Sequence, residues 1–358
     1  MAEKPFKIDV PNSEVELLRK KLELARLPDE LDEAGWKYGA PLTDVKNLVE
    51  RWKTFDWKKY EEKINELPMY TRDIEVDTFG ALNIHYIHQK SEVETAIPLL
   101  FIHGWPGHFL EVQRILPLLV ASSSEHPSFH VVALSLPNFG FSEGTKKKGF
   151  SVPQYVEVGH KLMLALGYNE YVTQGGDWGG IPYSEREKAG LALRQKFWQE
   201  GTGYFAIQST QPQTLGASLA DSPVGLLAWI YEKLFKGTDG YPWTEDEVLQ
   251  WVSIYWFSRA GPAASVRIYY EAIKHNHFFC NATSSIPLGI SYFPKEVVSE
   301  GPRSWARTIG NVVFEAEHDS GGHFAAFEKP NELAGDLRRM FGKGGPAFGV
   351  VSGKNGYA

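Results

Sequence analysis

Cysteine is almost absent. Cys280 is the single one in 358 residues, which excludes an intramolecular disulfide framework and argues against a cysteine-rich metal site. A reducing, cytoplasmic setting is the natural expectation. Long apolar runs are missing as well. No eighteen-residue apolar stretch occurs, and the N-terminal stretch carries Glu14, Glu16, Arg19, Lys20 and Lys21 where a signal peptide would need an apolar core. No transmembrane segment is expected. Positive charge is not in excess either: Asp and Glu total 44 against 37 Lys and Arg, a formal net charge of -7. The one cationic run, Lys146 to Lys148, lies in a glycine-flanked loop, so no continuous basic face invites nucleic acid and no such partner is expected.

The chain is long enough to bury a large core, as one sizeable domain with an insertion or as two domains. It begins with helical patterns. Ser13 and Glu16 have capping-box spacing before Val15, Leu18 and Leu22, and Val45, Leu48, Val49 and Trp52 repeat an apolar face behind Thr43. After Pro68 the period drops to two, over Thr71–Val76 and Leu82–Ile87, with Phe79-Gly80 as the turn between two antiparallel strands. From Pro98 the strands become continuously apolar, as buried parallel strands do: Leu99–Ile102, His130–Leu136 and Tyr171–Thr173 alternate with helical segments. Ser151 with Gln154 caps one of those helices and Gly167 stops it. Ile286–Phe293 and Val312–Phe314 read as two later buried strands, and the intervening stretch reads as a helical insertion containing helices opened by Pro223 and capped by Thr244 with Glu247.

The chemistry concentrates in three glycine-rich segments. Gln174-Gly175-Gly176-Asp177-Trp178-Gly179-Gly180 follows a strand and has the small residues that a nucleophile elbow needs around its apex, with Asp177 where serine is usual. A carboxylate there suits displacement at a saturated carbon, leaving an ester that a second step must hydrolyse. Epoxides and alkyl halides are the expected substrates. His103-Gly104-Trp105-Pro106-Gly107 follows the first buried parallel strand. Its Trp105 N–H, together with that of Trp178, is expected to form an oxyanion hole for the tetrahedral intermediate. His323, in Gly321-Gly322-His323-Phe324-Ala325, comes after the elbow and after a late acid, the order of hydrolase triads, and is expected to be the general base. Glu296, just past the preceding strand, is the expected orienting acid, with Glu317 and Asp319 as alternatives.

Those three segments, with Pro302-Arg303-Ser304-Trp305 and the N-terminal region from Pro5 to about Gly107, resemble the epoxide hydrolases of the microsomal and fungal type. The likeness covers most of the chain to about Phe341. It implies an α/β-hydrolase fold with an N-terminal extension and a helical cap, conversion of a small-molecule epoxide to a vicinal diol through an aspartyl ester, and no metal or organic cofactor. It also implies two cap tyrosines that protonate the opening oxirane. Gly203-Tyr204 resembles the segment of the first, and Arg267-Ile268-Tyr269-Tyr270-Glu271 that of the second, with Tyr269 the better register and Tyr270 the fallback.

The domain plan that follows is an extension with the first strands over 1–97, a first part of the hydrolase core over 98–182, a cap over 183–285, a second part of the core over 286–341 and a disordered tail over 342–358. The chain departs from the family in one place. Pro182 comes within five residues of Asp177, and Ser184 with Glu187 already opens a new helix, so the helix and strand that normally follow the elbow are lacking. Either the helix from Ser184 takes the elbow-helix position or neighbouring strands close the gap. Two alternatives to the epoxide reading stand beside it. A haloalkane dehalogenase would use Asp177 likewise and hold halide on the Trp178 indole, and a catalytically silent hydrolase-fold protein would result if the deletion disables the site. An oligomer is possible.

Overall fold

The computed structural model describes residues 3–175, 200–277, 284–296, 307 and 310–358. Asp177, Trp178, the expected helix from Ser184 and Pro302–Trp305 lie outside the described residues.

Strand β1 (Lys4–Pro5) leads into three helices, α1 (Asn12–Glu23), α2 (Leu42–Lys53) and α3 (Trp57–Ile64). Strands β2 (Met69–Val76), β3 (Gly80–Gln89) and β4 (Ile97–Ile102) follow, then α4 (Leu116–Val120), β5 (Phe129–Leu134), α5 (Val152–Ala165) and β6 (Val172–Gly175). The insertion consists of α6 (Gly203–Thr210), α7 (Pro212–Asp221), α8 (Pro223–Gly237), α9 (Glu245–Trp256) and α10 (Arg267–Lys274). Strands β7 (Ser284–Tyr292) and β8 (Gly310–Glu317) and helices α11 (Ala325–Glu328) and α12 (Pro330–Phe341) complete the order.

The capping boxes at Ser151/Gln154 and Thr244/Glu247 form as spaced. The one at Ser13/Glu16 does not: α1 starts at Asn12 behind Pro11, with no side-chain cap, and α2 likewise starts behind Pro41. A proline just before the first turn loses no intrahelical hydrogen bond, so it can open a helix where a polar cap is not needed. The extension is bolted to the insertion. Trp52 is buried and its indole N–H donates to Ser253 Oγ (3.3 Å), while Asp246 of α9 takes Arg51 (2.7 Å) and the Tyr60 hydroxyl (2.6 Å).

Six strands form one sheet in the order β1-β2-β3-β5-β4-β6, with β2 and β3 antiparallel and β4, β5 and β6 mutually parallel. The register aligns Ile102 with both Leu134 and Gly175, so the parallel strands end at one level and the loops after them share one edge. In parallel sheets that edge is where ligands bind. β7 and β8 pair in parallel with each other as a separate two-stranded sheet. Among the described residues no strand joins β6 to β7, so the neighbouring strands do not close the gap.

The tail corrects the expectation of disorder. Ser128 N–H donates to Gly356 O (2.7 Å), Gly356 N–H to Thr95 O (2.8 Å) and Ala358 N–H to Ser123 O (3.1 Å), and Ala347 and Val351 are buried. Ser352 N–H meets Glu170 (2.6 Å) and Lys354 Nζ meets Glu94 O (2.9 Å), so residues 342–358 strap the segments that enter β4, β5 and β6. Gly356 shows why glycine is frequent here. Its φ is +78°, and a Cβ would come within 2.7 Å of Pro127 Cβ. Glycine in this tail serves tight docked turns; lack of periodicity therefore did not mean lack of structure.

Candidate active site

The loop His103–Gly107 leaves β4 at the shared edge. His103 is buried, and burial lowers its pKa to about 4, so its ring is neutral; Nδ1 donates to Gly104 O (3.0 Å) and Nε2 accepts from Leu136 N–H (3.1 Å). It ties the end of β4 to the end of β5, a structural task. Gly107 N–H closes the turn onto Gly104 O (3.1 Å). Helix α9 holds the loop from above: the Trp251 indole donates to Pro106 O (2.8 Å) and the Tyr255 hydroxyl to Gly107 O (2.6 Å). Both contacts are fully buried, and burial drives the Tyr255 pKa well above its usual value. With its carbonyls engaged by the insertion, the loop is held from the side opposite the sheet.

Trp105, 6% exposed, is the hub of an aromatic cluster. Tyr204 of α6 stacks on it at 5.4 Å between ring centroids with 7° between planes, and Tyr269 of α10 meets it edge-to-face at 5.6 Å. The two tyrosine rings are themselves 6.0 Å apart and nearly perpendicular, an arrangement aromatic quadrupoles favour. Lys233 of α8 places Nζ 4.3 Å from the Tyr204 ring centroid. Tyr270, the neighbour that served as the fallback, lies instead under Lys274 at 5.5 Å. Two residues about sixty-five positions apart in sequence are thus brought over one tryptophan by two helices of the insertion.

On the far side stands His323. Its Nδ1 is 2.7 Å from Glu296 Oε2, a distance suited to a charge-assisted hydrogen bond, so Nδ1–H donates and Nε2 is left as the basic atom. Nε2 points at the loop, where a Cβ added to Gly104 would sit 4.0 Å from it. The loop carrying His323 is pinned by the insertion, where His323 N–H donates to Gly237 O (2.7 Å) and Gly321 N–H to Asp239 (3.0 Å), and by α11, where Gly322 N–H donates to Glu328 (2.7 Å). A side chain at Gly322 would collide with Gly237 O, which explains glycine beside the histidine. Burial raises the Glu328 pKa, opposed by the backbone N–H groups of Asp239 and Gly322.

A cavity of about 590 Å³ opens here. Gly104, Glu111, Glu296, Gly322 and His323 line one end, and from there it runs between β6 and β7 to Met340 and Phe341 of α12. The site and the gap in the sheet are one continuous space. The described residues therefore bring Trp105, Tyr204, Tyr269, His323 and Glu296 around the edge at which β6 ends with Gly175, two residues before Asp177. Sequence reasoning missed Trp251, Tyr255 and Glu111. The only signal for the first two was position on an amphipathic helix, the same signal an ordinary core residue gives.

No group of three or more His, Cys, Asp or Glu among the described residues is arranged to hold a metal ion, and no described helix is long and apolar enough to cross a membrane. A family profile described as "Epoxide hydrolase N terminus" matches residues 3–112, and one described as "alpha/beta hydrolase fold" matches residues 97–182. The chain is 32% identical to "Epoxide hydrolase 1" of Sus scrofa, covering 95% of this chain and 88% of that one. The solved structure of Aspergillus niger epoxide hydrolase matches with a TM-score of 0.83 and 31% identity, over 94% of this chain and 95% of that chain. Juvenile hormone epoxide hydrolase from Bombyx mori matches with a TM-score of 0.84 and 26% identity, over 94% and 93%. The alignment with the Sus scrofa protein spans 410 positions, more than the 358 residues of this chain, so that relative holds residues this one lacks.

Proposed function

Since the chain belongs to the epoxide hydrolase family and has the α/β-hydrolase fold, we propose that it converts an epoxide to a vicinal diol through a covalent ester on Asp177. The Asp177 carboxylate attacks one oxirane carbon from the side opposite the C–O bond that breaks. The departing oxygen takes a proton from Tyr204 or Tyr269, because an alkoxide is a poor leaving group without an acid. Water then gives a proton to His323 Nε2 and attacks the ester carbonyl carbon. The N–H groups of Trp105 and Trp178 hold the oxyanion; collapse releases the diol and restores the Asp177 carboxylate, and the proton taken up by His323 returns to the tyrosine that protonated the oxirane oxygen. Glu296 keeps the imidazole in the tautomer this requires and stabilises the imidazolium.

The observation that carries the reading is the convergence of Tyr204 and Tyr269 on Trp105, with His323 Nε2 facing the same loop. A dehalogenase has no need of two phenols at that place, since halide leaves without a proton. The test is diol formation from a styrene oxide-type substrate, followed alongside thermal unfolding. Turnover is expected to vanish in Asp177→Asn with the melting transition retained. In His323→Gln an adduct of epoxide mass should accumulate on Asp177. A cooperatively folded chain that makes no diol from a panel of epoxides would overturn the proposal; halide release from haloalkanes in its place would assign the dehalogenase reaction, and no turnover at all the silent relative.

A further inference from the structure

Glu111 is a buried carboxyl at the His323 end of the cavity to which the scheme above gives no task. It lies in a short 3-10 turn, Phe109–Gln113, immediately after the His103–Gly107 loop, and its residue is 9% exposed. Its side chain folds back under the loop. Oε1 occupies the space where a side chain on Gly107 would begin, and the carboxyl accepts the backbone N–H of His108. The turn closed by Gly107 N–H on Gly104 O therefore has His323 Nε2 against one end, at Gly104, and the Glu111 carboxyl against the other, at Gly107. Both groups line the same cavity.

The groups that face this carboxyl come from every element around it. Among the described residues, Tyr255 of α9 donates its hydroxyl to Gly107 O, His108 is a neutral buried ring, and His323 is the group whose positive charge acts on the acid. Burial is the largest influence on Glu111 and raises its pKa to about 7, with the His323 charge and the His108 N–H opposing. A carboxyl that faces a cavity beside the general base, and is not closed off in the core, is placed where it can act on what enters that cavity.

Resting on the proposed two-step reaction, we infer that Glu111 is a positioning residue for the hydrolytic water. One O–H of that water is directed to His323 Nε2, which removes its proton; the other O–H donates to the Glu111 carboxylate and is kept. Two acceptors flanking the loop fix the oxygen lone pair toward the ester carbonyl, whose oxyanion the N–H of Trp105 is placed to receive. Attack on the epoxide by Asp177 does not involve this water. Glu111 therefore separates the two steps: it serves the second and leaves the first untouched.

The experiment is single-turnover and steady-state kinetics of E111Q with a styrene oxide-type substrate, with mass spectrometry of the quenched enzyme. Ester formation should stay within about threefold of the parent chain, while ester hydrolysis falls by about 30-fold, in the range that loss of one well-placed hydrogen-bonding group produces. The ester then accumulates, and kcat and KM fall together. The parent chain should lose part of its hydrolysis rate as pH drops through about 7, because the neutral acid is a weaker acceptor than the carboxylate, and E111Q should lack that part of the pH dependence while keeping the part that belongs to His323. E111A serves if E111Q does not fold. Equal loss of both steps, or unchanged hydrolysis, overturns the assignment. No ester on the parent chain itself would instead sink the two-step reaction.

Discussion

The six-stranded and two-stranded sheets are built from the same kind of sequence and reach different ends. Strands β4 and β5 are continuous apolar runs, and Leu99, Val131, Val132 and Ala133 are wholly buried. β7 is also apolar, with Ile286, Leu288 and Ile290, yet none of its residues is fully buried and Ile286 is 71% exposed. The difference is not in the strands but beside them. β4 has a strand on each edge, whereas among the described residues β7 has one only on the side of β8. A strand's preference is for a half-buried pleated surface that neighbours must supply. A cavity of about 590 Å³ lies along the edges of β6 and β7, and the alignment with the Sus scrofa relative runs to 410 positions.

Hydrogen exchange should expose this contrast most sharply. Amides of β4 and β5 are expected to exchange only on global unfolding and those of β7 and β8 through local opening, a gap on the order of a thousandfold in rate. Equal protection in both sheets would mean that the gap is filled in solution. Truncation tests the same contrast by packing. Leu99→Ala should cost about 2–5 kcal/mol in urea unfolding, while Ile290→Ala should cost under about 1 kcal/mol, as substitutions away from a packed core do. A large cost at Ile290 would show that the small sheet is better buried than its exposure says.

How far these features were legible in the sequence follows from the same physics. Buried parallel strands announce themselves as uninterrupted apolar runs, and the glycines around His103 and His323 mark turns that few other residues fit, so the sheet and these two loops could be read directly. The departure after the elbow rests on Pro182 and the Ser184/Glu187 spacing, which lie outside the described residues. What could not be read was contact at a distance. Trp251 and Tyr255 share the helical spacing of ordinary core residues, and nothing local distinguishes an aromatic that grips a loop carbonyl from one that fills space. Nothing local in the sequence separates Glu111 from a surface acid in a loop. The tail misled because its glycines are shared by solvated linkers and by docked straps.

Glu111 sharpens the comparison from the larger sheet's side, since it hangs from a loop of that half and faces the gap. Its pKa rises from 4.5 to about 7 on folding, so between those values the folded state holds a proton that the unfolded state has released. Stability therefore declines as pH rises from about 4.5 to about 7, by roughly 3 kcal/mol in all, and the loss is complete above that window. E111Q should lack this slope and gain relative to the parent chain at pH 8, as measured by urea unfolding at the two ends of the window. A parent chain with no such slope would mean that water entering from the gap already solvates the carboxylate.

The smallest effect separates conformational from packing cost in the tail that straps the larger sheet. Gly356 and Gly349 share a left-handed backbone, φ +78° and +72°, so alanine at either pays about 1 kcal/mol for the conformation. Only Gly356 is crowded, with Pro127 Cβ at 2.7 Å and Ser128 N and O at 2.9 Å from an added Cβ; Gly349 has open space. Gly356→Ala must therefore also push the tail away from Ser128, breaking the hydrogen bonds of Gly356 with Ser128 and Thr95. It should cost about 1 kcal/mol more than Gly349→Ala and speed proteolytic clipping after Lys354, while Gly349→Ala leaves clipping there unchanged. If the two variants behave alike, the tail contributes no packing to the entry side of β4 and β5, and the strap would have to be regarded as lying on the sheet without holding it.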